Sequence, residues 1–283
     1  MKQLILNADD FGLTPGVNRG IIRAHREGIL TSTTLMATAP AFDDAVALAR
    51  ANPQLGVGCH LVLVGGQALT PYAEIPSLAA PDGKLPASLA LFAANVSCGK
   101  IRVDEIGREL RAQIGKIRSA GIDPTHLDTH KHTHAHPVVM EELARVAREL
   151  GIRRVRKPVE HLTDSWRSAG LSKGIGAAAV VRTIARGFAE IAREFGLLSP
   201  DNFLGLAMTG QLGPEALRRM IGTLPVGRTE IMLHPGICDQ DLAKTDSRLQ
   251  QQRQLELNGL MDPGVKHMIE KEGVQLISYC GLN

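Results

Sequence analysis

The feature that most constrains this chain is the alternation of short apolar runs with amphipathic helical stretches from one end to the other. Leu4 to Ala8 is an apolar run of the kind buried on both faces of a parallel sheet, and Asp9-Asp10-Phe11-Gly12 closes it. Pro15-Gly16 then leads into a helix carrying Val17, Ile21, Ile22 and Ala24, stopped by Gly28. The same unit recurs. Strands are expected at Thr31–Thr38, Gly56–Leu61, 125–130, Arg153–Lys157, 202–207, 229–233 and Val274–Tyr279. Helices are expected at Phe42–Ala51, Val103–Ala120, 137–150, 174–196, 213–223 and across 245–272. Eight strands alternating with helices, with no linker between halves, predict one parallel α/β domain. An irregular (β/α) TIM-like barrel spanning residues 1–283 is the first choice, since such barrels take roughly 250 residues. An open doubly wound sheet is the alternative. Residues 65–100, with Pro71, Pro76, Pro81, Gly83 and Pro86, break the rhythm and read as a loop-rich excursion over the mouth.

In parallel α/β folds reactive groups gather at the C-terminal ends of the strands. Asp9 and Asp10 follow the first strand, His60 the third, Asp128 and His130 the fourth, and His234 the seventh. Adjacent residues of a strand face opposite ways. Asp9 and Asp10 are therefore expected to have different jobs, one ligating a metal and the other free as a base. Cys59, beside His60, is expected to point away into packing.

The stretch from His126 to His136 holds half of the ten histidines. His126, Asp128, His130, His132, His134 and His136 share one parity, so extended backbone would turn all six to one face. Imidazole nitrogen and carboxylate oxygen are the usual ligands of a divalent metal. The bland possibility is a solvated polar loop before a helix.

Composition removes other classes. A net charge of +3 without a basic run gives no reason to expect a nucleic-acid partner. No window approaches ~20 uninterrupted apolar residues, and the N-terminus reads as a strand rather than a signal peptide. The four cysteines (Cys59, Cys98, Cys238 and Cys280) are scattered, as in a cytoplasmic protein with reduced thiols.

Asn7-Ala8-Asp9-Asp10-Phe11-Gly12, Gly58-Cys59-His60-Leu61, His126-Leu127-Asp128-Thr129-His130-Lys131-His132-Thr133-His134 and Glu230-Ile231-Met232-Leu233-His234-Pro235-Gly236 together resemble the YdjC-like (ChbG-like) carbohydrate deacetylases. The resemblance implies an irregular barrel, one divalent metal ion (zinc or magnesium), and removal of acetyl from an N-acetylated amino sugar. It puts metal ligands on Asp10, His60 and His130, the catalytic base on Asp9 and the acid on His234. Asp128, His126, His132 and His134 become candidates for ligand support or substrate contact. Thr129 stands where the family usually has Ser, and Lys131 interrupts a histidine run the family often shows.

Further stretches are similar to the hopanoid-biosynthesis-associated branch, HpnK. These are Arg23 to Thr31, His60 to Gly66, Ala73-Glu74-Ile75-Pro76 with Asp82-Gly83, and Phe203 to Leu206. That branch implies N-acetylglucosamine on a hopanoid lipid, peripheral contact with the inner membrane face, and a homodimer. An aromatic content of 3%, with Trp166 as the single Trp, suits it, because long polysaccharides lie on aromatic platforms. Apolar residues of the excursion (Leu89, Leu91, Phe92 and Val96) and a basic helix over 174–196 point the same way. The competing expectations are a deacetylase of soluble N-acetylglucosamine oligosaccharides, another metal-dependent barrel hydrolase or isomerase, and a non-enzymatic metal-binding protein.

Overall fold

The computed structural model describes residues 1–160 and 172–282; Trp166 lies outside them. Seven parallel strands form one sheet: β1 (Lys2–Phe11), β2 (Ser32–Leu35), β3 (Gly56–Leu61), β4 (Leu127–Thr129), β5 (Asn202–Leu204), β6 (Gly227–Leu233) and β7 (Val274–Leu276). Their order is β4-β3-β2-β1-β6-β5, with β7 paired to the first residues of β1 and β2 to the last ones. The expected fifth strand is not a full strand. Isolated bridges take its place, Leu127 with Val155 and Glu160 with Phe203, and these join the two ends of the sheet. The sheet thus curls into an irregular barrel, as the alternation predicts.

The helices are α1 (Pro15–Arg26), α2 (Phe42–Arg50), α3 (Leu89–Ser97), α4 (Val103–Ser119), α5 (Pro137–Glu149), α6 (Ser172–Ile184), α7 (Phe188–Glu194), α8 (Pro214–Gly222), α9 (Gln240–Ala243), α10 (Gln251–Met261) and α11 (Pro263–Lys271). Pro opens α1, α5, α8 and α11, where its missing N–H would have no partner in any case. The expected 174–196 helix is two helices, because Gly187 takes a left-handed φ of 89° between them. β1 is buried from Leu4 to Phe11, with Leu4, Leu6 and Ala8 in the main core. Cys59 packs in that core too, facing away from His60 as its parity requires.

The excursion at 65–100 is more ordered than its prolines suggest. It contains a 3-10 turn (Tyr72–Glu74) and α3. Buried carboxylates of α4 also fasten it. Glu109 accepts the N–H groups of Leu69 and Thr70, both at 2.9 Å. Glu105 accepts those of Ser77 and Leu78 at 2.7 and 3.1 Å. Among the described residues no helix is long and apolar enough to cross a membrane.

Candidate active site

The C-terminal ends of β1, β3, β4 and β6 converge at one mouth. β1 delivers two carboxylates there, and it does so against strand parity. Asp10 takes a left-handed φ of 68°, a conformation that costs a non-glycine residue about 1 kcal/mol or more. The turn swings its side chain to the same space as Asp9, so the expectation that the two must face apart fails for a stated reason.

Asp10 Oδ1 lies 3.5 Å from His60 Nε2 and 3.5 Å from His130 Nδ1, and those nitrogens are 3.3 Å apart. A tetrahedron of bonds about 2.1 Å long has edges of about 3.4 Å. Asp10 Oδ1 is also buried without a hydrogen-bond partner, while Oδ2 accepts from Arg253 Nη2 at 2.6 Å. An orphaned carboxylate oxygen facing two imidazole nitrogens is the donor set of a divalent metal site. These residues fit the ion that the resemblance implies.

His60 Nδ1 meets Asp128 Oδ1 at 2.7 Å, the carboxylate–imidazole support that fixes the ring's orientation in metal sites. Burial pulls the His60 pKa down, but Asp128 outweighs it and raises it to about 9 in the ion-free site. Asp128 is in turn held by Arg156 Nη1 at 2.6 Å and by the Thr34 hydroxyl at 3.2 Å.

Asp9 is held differently. Arg156 grips it with Nη2 to Oδ1 at 2.6 Å and Nη1 to Oδ2 at 2.7 Å, and Asn7 Nδ2 donates to Oδ1 at 3.0 Å. The Arg156 guanidinium, wholly buried, also binds Glu230 Oε1 through Nε at 2.9 Å. Tyr279 OH donates to Glu230 Oε2 at 2.5 Å. His234 Nε2 stands 4.0 Å from Asp9 Oδ2, and its Nδ1 is buried without a partner. Burial lowers the His234 pKa to about 4, so the ring is neutral at pH 7. Its main-chain N–H is fixed by Glu256 Oε2 at 2.5 Å. Gly20 lets this turn settle on α1, since a Cβ there would lie 2.7 Å from the Gly236 Cα.

The histidine stretch follows parity only as far as Thr129. His126 and Asp128 face inward, but His126 lies deeper, stacked on Tyr279 with ring centroids 3.5 Å apart. Gly58 makes room for it, because a Cβ there would collide with the imidazole. Beyond β4 the chain turns into a 3-10 segment, His130–Ala135, in which Lys131 and His132 are left-handed at φ 55° and 53°. The turn keeps His130 in the site and takes the later histidines out of it. His134 returns to Thr129 Oγ1 (2.7 Å) and the Arg156 carbonyl (3.1 Å), His132 lies against Phe203, and His136 bonds Ser97 Oγ at 2.9 Å.

Arg156, Arg253 and Tyr279 lie outside the sequence motifs, and Glu230 lies inside one without a role assigned to it. One signal was available. Glu230 shares inward parity with Met232 and His234 along β6.

A curled parallel α/β barrel with Asp and two His gathered at its mouth, beside an arginine-held aspartate, has the layout of a barrel hydrolase. The chain belongs to the YdjC-like protein family, whose model matches residues 3–271. It is 34% identical to a carbohydrate deacetylase of Brevibacillus brevis over 99% of each chain. It is 36% identical to a carbohydrate deacetylase of Geobacillus stearothermophilus, covering 98% of this chain and 97% of that one. A chitooligosaccharide deacetylase of Salmonella typhimurium is 43% identical over 152 residues, 53% of this chain and 58% of that one. Among solved structures, a putative cellobiose-phosphate cleavage protein of Enterococcus faecalis superposes with a TM-score of 0.80 at 27% identity, covering 98% and 97% of the two chains.

Proposed function

We propose that this protein is a metal-dependent hydrolase that removes the acetyl group from an N-acetylated amino sugar, N-acetylglucosamine in a soluble oligosaccharide. The observation that carries the reading is the orphaned Asp10 Oδ1 facing His60 Nε2 and His130 Nδ1, next to the arginine-held Asp9. The named activities of the relatives supply the substrate class.

Asp10, His60 and His130 would hold the ion, and their spacing of 3.3–3.5 Å supports a four-coordinate ion such as zinc. An octahedral magnesium would hold right-angled ligand atoms about 3.0 Å apart. When bound, such an ion supplies Lewis acidity toward a carbonyl and a water of lowered pKa. Asp9 takes the proton of the attacking water. Arg156, bonded to both carboxylate oxygens, keeps Asp9 aimed while it does so. His234 starts neutral, so it must receive a proton before it can give one to the departing amine. The 4.0 Å between Asp9 Oδ2 and His234 Nε2 is short enough for a small adjustment to complete that transfer.

A second reading keeps the chemistry and changes the carrier, placing the acetylglucosamine on a hopanoid-type lipid at a membrane surface. Leu89 and Leu91 on α3, and Val180 and Ile184 on α6, are exposed apolar side chains on two helices that pack against the His130–Ala135 turn. They would suit a lipid tail beside the mouth.

Acetate release by zinc-reconstituted protein tests both readings, with N,N′-diacetylchitobiose in one arm and an N-acetylglucosaminyl lipid in the other. Acetate from the soluble sugar, absent in Asp9→Asn, supports the first reading. Acetate from the lipid alone moves the assignment to the second. Acetate from neither sinks the deacetylase reading.

A further inference from the structure

Arg253 is a guanidinium in an unusual place. It sits on α10 and its side chain is 2% exposed, yet the one carboxylate it touches among the described residues is Asp10, through Nη2 to Oδ2 at 2.6 Å. Its remaining contacts are weaker and neutral: Nε to the Leu249 carbonyl at 3.2 Å and Nη2 to Ser247 Oγ at 3.3 Å. Nη1 is buried with no acceptor at all. A guanidinium serving only to tie loops together would be expected to satisfy that donor, because an unpaired buried N–H is costly. Its placement makes sense if holding one oxygen of Asp10 is the purpose.

The backbone says the same. Asp10 already adopts a left-handed φ of 68° to bring its carboxylate to the mouth. A carboxylate brought there alone could offer an ion both oxygens. With Oδ2 committed to Arg253, only Oδ1 is left to face His60 Nε2 and His130 Nδ1.

We propose that Arg253 is a positioning residue that makes Asp10 a one-oxygen ligand and so keeps a coordination position open for the reacting groups. This rests on the metal reading above and deepens it. Without Arg253, Asp10 is free to bind through both oxygens, which fills the position that substrate needs. A residue of this kind affects the geometry of the bound ion more than the strength of its binding.

Cobalt(II) substitution reads that geometry directly, because the visible absorption of four-coordinate cobalt is much stronger than that of higher-coordinate cobalt. Apo-protein is titrated with cobalt chloride for the native chain, Arg253→Gln and Arg253→Lys, with circular dichroism to confirm folding. The native chain is expected to bind one cobalt per chain with intense absorption. Arg253→Gln still binds one cobalt, but with clearly weaker absorption and turnover lower by about ten- to a hundred-fold. Arg253→Lys, which keeps a donor within reach of Oδ2, recovers part of the absorption. If Arg253→Gln does not fold, the Arg253→Lys spectrum alone decides, and an absorption below native is expected.

Native absorption in both variants overturns the proposal. So does loss of cobalt binding in step with loss of folding, which would make Arg253 a structural tie. Failure of the native chain to bind one cobalt refutes the metal reading itself and is distinguishable from either of these.

Discussion

Arg156 holds Asp9 by both carboxylate oxygens at 2.6 and 2.7 Å, and the same guanidinium reaches Asp128 and Glu230. One buried cation thus ties the end of β1, the support for His60 and the interior of β6 into a single unit. Removing it would leave three carboxylates buried without their counter-charge. Arg156→Ala is therefore expected to lower stability by about 3–5 kcal/mol, the range for breaking a buried ion pair from one side. Urea unfolding checks this. A loss below about 1 kcal/mol would mean that these carboxylates reach solvent or protonate at little cost.

Tyr279 comes from beyond the last strand, yet its hydroxyl reaches Glu230 Oε2 at 2.5 Å while its ring stacks on His126. Tyr279→Phe keeps the stack and leaves the buried Glu230 Oε2 without this donor, a loss of about 1–3 kcal/mol. Tyr279→Leu loses both and is expected to be the less stable variant. Equal thermal midpoints for the two would show that the stacking contributes nothing measurable.

How far the sequence spoke depended on how far extended backbone lasts. Parity correctly turned Asp128 inward along β4 and set Cys59 opposite His60 along β3, because those residues lie in regular strand. It failed at Asp10 and again at Lys131 and His132, where left-handed residues redirect the chain. No alternation rule carries that information, since it assumes one conformation throughout. Arg156 was hidden for a related reason: the segment around it makes isolated bridges instead of a full strand, so its inward direction could not be read from a run of neighbours. Arg253 and Tyr279 are brought in from α10 and the C-terminal segment by tertiary packing, and nothing local marks them.

The excursion at 65–100 is fastened by carboxylates, which makes its rigidity testable. Glu105 accepts from Ser77 N and Leu78 N, and its side chain is fully buried. Glu105→Ala leaves those donors unsatisfied, and each costs about 1–3 kcal/mol if it stays buried. Hydrogen exchange at Ser77 and Leu78 should accelerate, while exchange in β1 and β6 stays as it was. Uniform acceleration across the barrel would instead mean that α4 itself depends on this carboxylate.

His134 gives the protein a dependence on acid whose sign is fixed by its surroundings. Burial lowers its pKa from the ordinary 6.5 to about 4. Hydrogen bonding agrees: Nε2 reaches the Arg156 carbonyl, so it carries the proton, and Nδ1 accepts from the Thr129 hydroxyl, whose oxygen also accepts the His134 N–H. A second proton on Nδ1 would face the hydroxyl proton and break that arrangement. Because the folded pKa lies below the unfolded one, the unfolded chain binds more protons between about pH 4 and 6.5. The stabilisation is full above pH 6.5 and lost as the pH falls through this window, by roughly 3 kcal/mol at most. Stability of the native chain and of Thr129→Val and His134→Gln, followed by urea unfolding from pH 7 to 4, tests the assignment. His134→Gln should be less stable at pH 7 but lose less on acidification, and Thr129→Val should lower the pH 7 value by about 1–2 kcal/mol. An acid slope in His134→Gln as steep as in the native chain would move the effect to another buried histidine, with His126 the first to try, since burial pushes its pKa down to about 3.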